Sequence, residues 1–363
     1  MPDLSEEERE QRWDDAARAL EEARACNAAG RMEDAARLAD AARAELLAVL
    51  GEDHPDFAQA VCTVGIVCAA RGELAEGRTH LERALALFSK WREEPVVRAM
   101  ERDARLHLAD VVTKLGAFAE AEQLLRALID DIANDPTAAP TDAWEALNHL
   151  GVCLRFAGRF DEAQAAYERS AALFGDSQQG AHPMILHNLA GLASARGDYE
   201  GALRFASAAV AERRAEGRRE FGLATDLCGL GDALAGLERF ADADAAYREA
   251  IEVFLASERP QHPEVAFALH NHADVLAALG RVDDAERTYQ ESIARKRRAL
   301  GDAQFEVGAT LNNLAAMLFE HGRVPEARAL AREAVHIVQA TLERGHPVRE
   351  GCEALARAIG AAP

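Results

Sequence analysis

Apolar residues recur at helical spacing in short blocks along nearly the whole chain, and the blocks come in pairs divided by a turn. Between residues 264 and 279, Val265, Leu269, Ala273 and Leu276 share one helical face. After a break at Gly280, Val282, Ala285, Tyr289 and Ile293 repeat the period on a second segment. The pattern predicts a helix A, a tight turn and a helix B. The turn returns eight times as Gly-Arg-apolar-acid-acid-Ala or a close variant. Its closing small residue falls at Ala35, Gly77, Ala121, Ala163, Ala202, Ala243, Ala285 and Ala327, in steps of 39 to 44 residues. A fixed period of this size means a solenoid in which each unit buries its apolar face on its neighbours. The expected fold is all-α, with about seventeen helices and no sheet. Eight hairpins span residues 1–347, and 348–363 form a capping helix and tail, with the helix reading from Val348 to Ile359.

Within each unit, polar and small positions have clear work. The turn Gly ends helix A because it tolerates the left-handed conformation, and the acids after it complement the dipole of helix B. Seven residues before the turn stand Ala23, Gly65, Ala109, Gly151, Ala190, Gly231, Ala273 and Ala315, where helix B must cross closely. Four residues after the closing small residue, Leu81, Leu125, Tyr167, Tyr247 and Tyr289 fill the gap. Ala39, Ala206 and Ala331 do not, which predicts thinner packing in units one, five and eight. His54-Pro55, His182-Pro183, His262-Pro263 and His346-Pro347 read as starts of helix A, since proline in the first turn forfeits no internal bond. Residues 134–140 and 175–180 read as the longest linkers, where bending is expected.

These motifs resemble tetratricopeptide repeats, in the form of about 42 residues found in kinesin light chains and many bacterial proteins. The likeness is densest at Leu311-Asn312-Asn313-Leu314-Ala315, at Gly322-Arg323-Val324-Pro325-Glu326-Ala327 and at the linker Leu50-Gly51-Glu52-Asp53-His54-Pro55. It runs from about residue 10 to 345. Unit one departs by lacking an Asn-rich helix A, and unit six by carrying Glu238 for the turn Gly. The resemblance implies a right-handed superhelix whose helices A line a concave groove for an extended or helical peptide. In that form an Asn three residues before the small Gly/Ala of helix A faces the ligand. The matching positions here are Asn148, His187, Cys228, His270 and Asn312, with Cys62 and Leu106 in units two and three. A side-chain amide there can meet both N–H and C=O of an extended backbone. One turn on, Asp110, Asp232 and Asp274 are expected to face the groove. Asp103, Glu145 and Glu320 add acid nearby, against Lys114 and Arg155.

Charge points the same way. With 41 basic and 62 acidic side chains the formal charge is −21, which disfavours nucleic acid and anionic membranes as partners. The expected partner is a protein or peptide of basic or polar character, bound by Asn148, Arg155, His187, Asp232, His270, Asp274, Asn312 and Glu320. The Lys residues of a carboxylate clamp are absent, so a co-chaperone of that kind is not expected. Six cysteines without paired spacing fit a reducing cytoplasm. The acidic start, Met1 to Glu8, does not read as a secretory signal, so none is expected, and no apolar run is long enough to span a bilayer. No phosphate loop, nucleophile elbow or acid–base pair is visible, so no catalytic residue, cofactor or metal is expected. His270 with Asp274 lacks a third ligand, and His270 and His272 point to different faces. Arg213-Arg214, Arg218-Arg219 and Arg295-Lys296-Arg297-Arg298 read as cations at the ends of helices B. The alternative to a passive scaffold is a sensor. Stand-alone repeats of this type resemble the sensing arms of signalling ATPases and peptide-pheromone receptors, which change pitch on binding and release a separate effector.

Overall fold

In the computed structural model, described for residues 5–174, 182–215, 217, 221–257 and 259–361, the chain is helical throughout. Seventeen α-helices and no strand occur among these residues. Two compact units emerge, residues 1–188 and 189–363. The first holds Glu6–Ala28 (α1), Met32–Leu50 (α2), Pro55–Ala70 (α3), Leu74–Phe88 (α4), Pro95–Lys114 (α5), Phe118–Asn134 (α6), Trp144–Phe156 (α7) and Phe160–Ala172 (α8). The boundary falls inside Pro183–Ala195 (α9). The second holds Tyr199–Ala215 (α10), Phe221–Gly236 (α11), Phe240–Ala256 (α12), Pro263–Ala278 (α13), Val282–Leu300 (α14), Phe305–Glu320 (α15), Val324–Thr341 (α16) and Pro347–Ala358 (α17). Odd-numbered helices up to α15 are the helices A of the eight hairpins, and even-numbered ones the helices B.

The turn follows from its glycine. Gly30, Gly72, Gly116, Gly158, Gly197, Gly280 and Gly322 all have φ between 74° and 86°. The next residue then bonds back to the last turn of helix A, as Arg281 N–H does to Leu276 C=O (2.9 Å) and Arg323 N–H to Leu318 C=O (2.9 Å). Unit six adopts the same conformation with Glu238, at φ 58°, the one non-glycine residue with positive φ among those described.

Helix crossings explain the small residues. A Cβ on Gly151 would stand 2.4 Å from the Tyr167 ring, and one on Gly231 would stand 2.7 Å from the Tyr247 ring. Tyr167 and Tyr247 are fully buried beside them. The thinner packing expected at Ala39, Ala206 and Ala331 leaves no opening, because all three are sealed from solvent. The capping helix α17 closes the last unit by burying Cys352 and Ala356 against a core that includes Val338 and Ala334.

Three of the His-Pro pairs start a helix A and His346-Pro347 starts the capping helix α17 instead, and in each the histidine is itself the cap. Nδ1 of His54, His182, His262 and His346 accepts from the backbone N–H two residues on, at 3.2 to 3.3 Å. The same rings pack on Trp13, Trp144, Phe221 and Phe305 of the preceding unit, with centroids 4.6 to 6.0 Å apart. Of the expected linkers, residues 134–140 are anchored. The Asp135 carboxylate takes bonds from Thr137 and from Arg102 (2.6 Å), which hold it well below the usual carboxylate range. The linker 175–180 and Arg218-Arg219 lie outside the described residues.

Candidate functional site on the helix A face

The helices A carry the residues singled out from the sequence, and the structure divides them by what already holds them. Asn148 is buried, and its Oδ1 accepts from Asn188 Nδ2 of α9 at 2.8 Å. In the second unit the corresponding bonds end on aspartates. Asp232 accepts from the Tyr247 hydroxyl of its own hairpin and from Asn271 Nδ2 of α13 at 3.0 Å. Asp274 accepts from the Tyr289 hydroxyl and from Asn313 Nδ2 of α15 at 3.1 Å. Asp232 and Asp274, expected to read ligand charge, therefore also tie helix B to helix A and one unit to the next. The Asn-rich stretch of helix A supplies these ties from the position after the one expected to face the ligand. Burial beside a carboxylate pushes the phenols of Tyr247 and Tyr289 far above their ordinary range, so both stay protonated donors.

His270 and Asn312 are left with unmet capacity. His270 Nδ1 and Asn312 Oδ1 are buried without a hydrogen-bond partner, while His270 Nε2 lies 3.6 Å from Asp274. Burial pushes the His270 imidazole down, and Lys296 adds to this against the pull of Asp274. Arg155 lies half-buried with its guanidinium 4.8 Å from the centre of the Phe156 ring. His187 is half-buried on α9, and Glu320 is exposed at the end of α15. His272, two residues from His270, faces the other way and meets Asp244 at 2.7 Å, as helical geometry requires.

One basic residue stands where the sequence did not put it. Lys296 is expected from the sequence as a cation that complements the end of a helix B, yet it is 3% exposed. Its Nζ donates to Thr310 Oγ1 at 2.9 Å and stands 4.6 Å from the centre of the Phe267 ring. Burial pulls its amine down to about 8, outweighing the attraction of Glu306 and Asp274. Arg298 of the same run is exposed, Arg297 pairs with Glu333, and the half-buried Arg295 donates to Pro260 C=O (2.9 Å). The helical period shows in hindsight why Lys296 turns inward, for it lies seven residues beyond the buried Tyr289.

In the first unit the helix A face opens into two adjoining hollows that the expected site residues did not include. One, of about 490 Å³, lies over α1, α3 and α5 and is edged by Glu21, Arg24, Asp56, Gln59, Met100 and Asp103. The other, of about 220 Å³, lies between α5 and α7 and shares Asp103, adding Leu106, Asp142 and Glu145. Asp103 pairs with His107 at 3.5 Å and Arg24 at 3.7 Å. Burial alone would raise its carboxyl, but His107 and Arg24 outweigh that and hold it low. Burial and the charge of Asp103 instead push the Glu145 carboxyl up. Gln59 Oε1 is a buried acceptor with no partner. Acid at positions 103 and 145 was visible in the sequence, but their convergence on one hollow depends on how α5 and α7 pack.

No described helix is long and apolar enough to cross a membrane. No curated protein matches the chain. Among solved structures, a Rap protein complexed with Competence and Sporulation Factor is similar at 12% identity and a TM-score of 0.57, covering 96% of this chain and 97% of that one. A signal transduction ATPase with a tetratricopeptide repeat sensor, from Pyrococcus horikoshii, is similar at 17% identity and a TM-score of 0.59, over 90% of this chain and 47% of the other. Both likenesses are of fold. Family models of the tetratricopeptide repeat match residues 69–139, 145–175, 223–298 and 264–340. With eight hairpins in phase and more than half of its residues matched, the chain belongs to the tetratricopeptide repeat family.

Proposed function

We propose that this protein is a non-catalytic, cytoplasmic receptor for a peptide segment of a partner, bound along the helix A face and selected for positive charge. The observation that carries this reading is the kind of polar atom left unmet there. Gln59 Oε1, Asn312 Oδ1 and Glu306 Oε2 are buried acceptors without donors, against the unmet donor Arg155 Nε. An extended peptide brings a row of N–H donors, and a Lys or Arg side chain brings more. The hollows around Asp103 are edged by Glu21, Asp56, Asp142 and Glu145 against Arg24 and Arg102, so they favour a cation. Asn148, Arg155, His187, Asp232, His270, Asp274, Asn312 and Glu320 remain the proposed contacts elsewhere on the face, with nucleic acid and membrane not among the ligands.

Selection of a random peptide library on the full-length chain tests this. Lys- and Arg-rich peptides should be enriched, and their affinity should fall as salt rises. The variant Asp103→Asn/Glu145→Gln should lose the charge preference. His270→Ala/Asn312→Ala should weaken binding without altering that preference. Enrichment of acidic peptides, or binding untouched by both variants, refutes the reading. A sensor is the second possibility, favoured by the fold match over nearly the full length of a Rap protein solved with a bound factor. Small-angle scattering with and without a selected peptide separates the two. A changed radius supports a sensor, and an unchanged radius a scaffold.

A further inference from the structure

Eight copies of one hairpin provide an internal reference, and unit two departs from it at three positions, Glu73, Gly77 and His80, that meet near Cys68. In five other units the residue after the turn glycine, or after Glu238 in unit six, is Arg, and it pairs with the acid three residues on. These pairs are Arg31 with Asp34 (3.7 Å), Arg159 with Glu162 (2.7 Å), Arg239 with Asp242 (2.9 Å), Arg281 with Asp284 (2.9 Å) and Arg323 with Glu326 (2.8 Å). Unit two has Glu73 instead, so the acid Glu76 loses its built-in counter-ion and gains a like charge. One turn further on stands His80, where units one, three and eight have Leu38, Leu124 and Leu330. Cys68 lies opposite, on α3.

The close crossing of α3 and α4 brings these groups together. Gly77 replaces the alanine of the other turns, and a Cβ there would sit 2.9 Å from Gly65 C=O. A Cβ on Gly65 would in turn meet Cβ of His80 at 3.1 Å. With both side chains absent the helices approach, and one donor atom each of Cys68, Glu76 and His80 falls within 4.8 Å of the others. Four-coordinate zinc, with bonds of about 2.0 to 2.3 Å, sets its ligand atoms about 3.3 to 3.8 Å apart, so rotamer changes of the side chains on α4 suffice to close the set. Cys68 is buried, whereas the side chains of Glu76 and His80 are 63% and 22% exposed, which leaves an entry path. Arg71 pairs with Glu73 at 3.3 Å and leaves Glu76 unpaired by Arg.

We propose that Cys68, Glu76 and His80 form a binding site for a divalent cation of the zinc class, with Glu73 or water at the fourth position. Thiolate, imidazole and carboxylate together suit zinc and exclude calcium or magnesium, which take all-oxygen sets. Glu76 and His80 are one helical turn apart, so both reach the same side of α4. The site lies at the A–B turn of unit two and is independent of peptide binding.

Cobalt(II), standing in for zinc, provides the test on the full-length chain. The wild type should develop a thiolate-to-cobalt charge-transfer absorption that saturates at one equivalent and is displaced by zinc. Cys68→Ser should abolish the band. His80→Leu restores the residue of units one and three, so it should keep the fold and weaken cobalt binding by more than about ten-fold. Cys26→Ser is the control, because Cys26 holds the place of Cys68 in unit one but faces Leu38 and a turn with Arg31. The proposal is overturned if the wild type shows no thiolate band. It is equally overturned if the band survives Cys68→Ser, or if His80→Leu binds as tightly as the wild type.

Discussion

Two glycines of α11, two residues apart, should respond to the same substitution with opposite signs. Gly229→Ala meets nothing within 4 Å of the new Cβ. It should therefore collect the usual advantage of alanine inside a helix, about 1 kcal/mol. Gly231→Ala has the same advantage, but its Cβ would fall 2.7 to 3.0 Å from three atoms of the Tyr247 ring. That ring cannot swing away, since it is fully buried and its hydroxyl is bonded to Asp232. Overpacking of this kind costs about 1 to 3 kcal/mol. Unit seven sets the scale, for it pairs Ala273 with Tyr289 at the same two positions, both buried. The alanine–tyrosine pair is thus compatible with a wider crossing, and the cost is that of opening unit six while Asn271 holds Asp232. A net loss of about 1 kcal/mol is expected for Gly231→Ala, and a gap of about 2 kcal/mol between the variants. Urea unfolding followed by far-ultraviolet ellipticity measures both, read as midpoint shifts at constant slope. If Gly231→Ala proves as stable as Gly229→Ala, the close crossing is not what requires glycine in unit six.

Glu238→Gly removes the one described non-glycine residue held at positive φ and should raise stability by about 0.5 to 1 kcal/mol, seen as a higher thermal midpoint. Tyr247→Phe removes a hydrogen bond to a carboxylate and should cost about 1 kcal/mol or more by denaturant titration, whereas Tyr167→Phe should cost less because the Tyr167 hydroxyl has only the Arg155 side chain beside it, outside close hydrogen-bond geometry. Lys296→Met should stabilise the protein at neutral pH by about 1 to 3 kcal/mol, since the amine is pulled down to about 8 by burial. A depressed folded value means that stability is highest above the unfolded value near 10.5 and declines as pH falls toward 8. The gap between wild type and Lys296→Met should therefore narrow across that window as pH rises, and a gap independent of pH would show that the lysine is not desolvated.

The fold was legible because its information is local and repeated eight times. The turn glycines, the small residues at the crossings and the His-Pro starts each state a requirement of nearby backbone, and each is met. Sites were less legible, because a side chain's employment depends on the next unit. Asp232 and Asp274 look like solvent-facing acids in a single helix, but Asn271 and Asn313 reach them from about 40 residues away. Lys296 sits in a run of four basic residues, and composition hid that one of them lies on the buried face. The hollow around Asp103 gathers residues of α1, α3, α5 and α7, and no spacing within one helix could announce it. The Cys68, Glu76 and His80 cluster could have been found by asking where one repeat differs from its siblings rather than where they agree.

The ties between neighbouring units keep a constant register. Arg281 reaches back 37 residues to Asp244, and Arg323 reaches back 37 residues to Glu286. Asn271 and Asn313 each reach back 39 residues. A duplicated copy of unit seven, inserted after the original, would find a waiting acid for its arginine and an aspartate for its asparagine, and would offer the same pair to the unit behind it. Such a gene duplication needs no new contact to be invented, so the helix A face can lengthen by whole modules at little cost to folding. A single extra residue between two units has the opposite effect, throwing both ties out of phase at once. Evolution of reach in this chain is therefore quantised, with the hairpin as its smallest step.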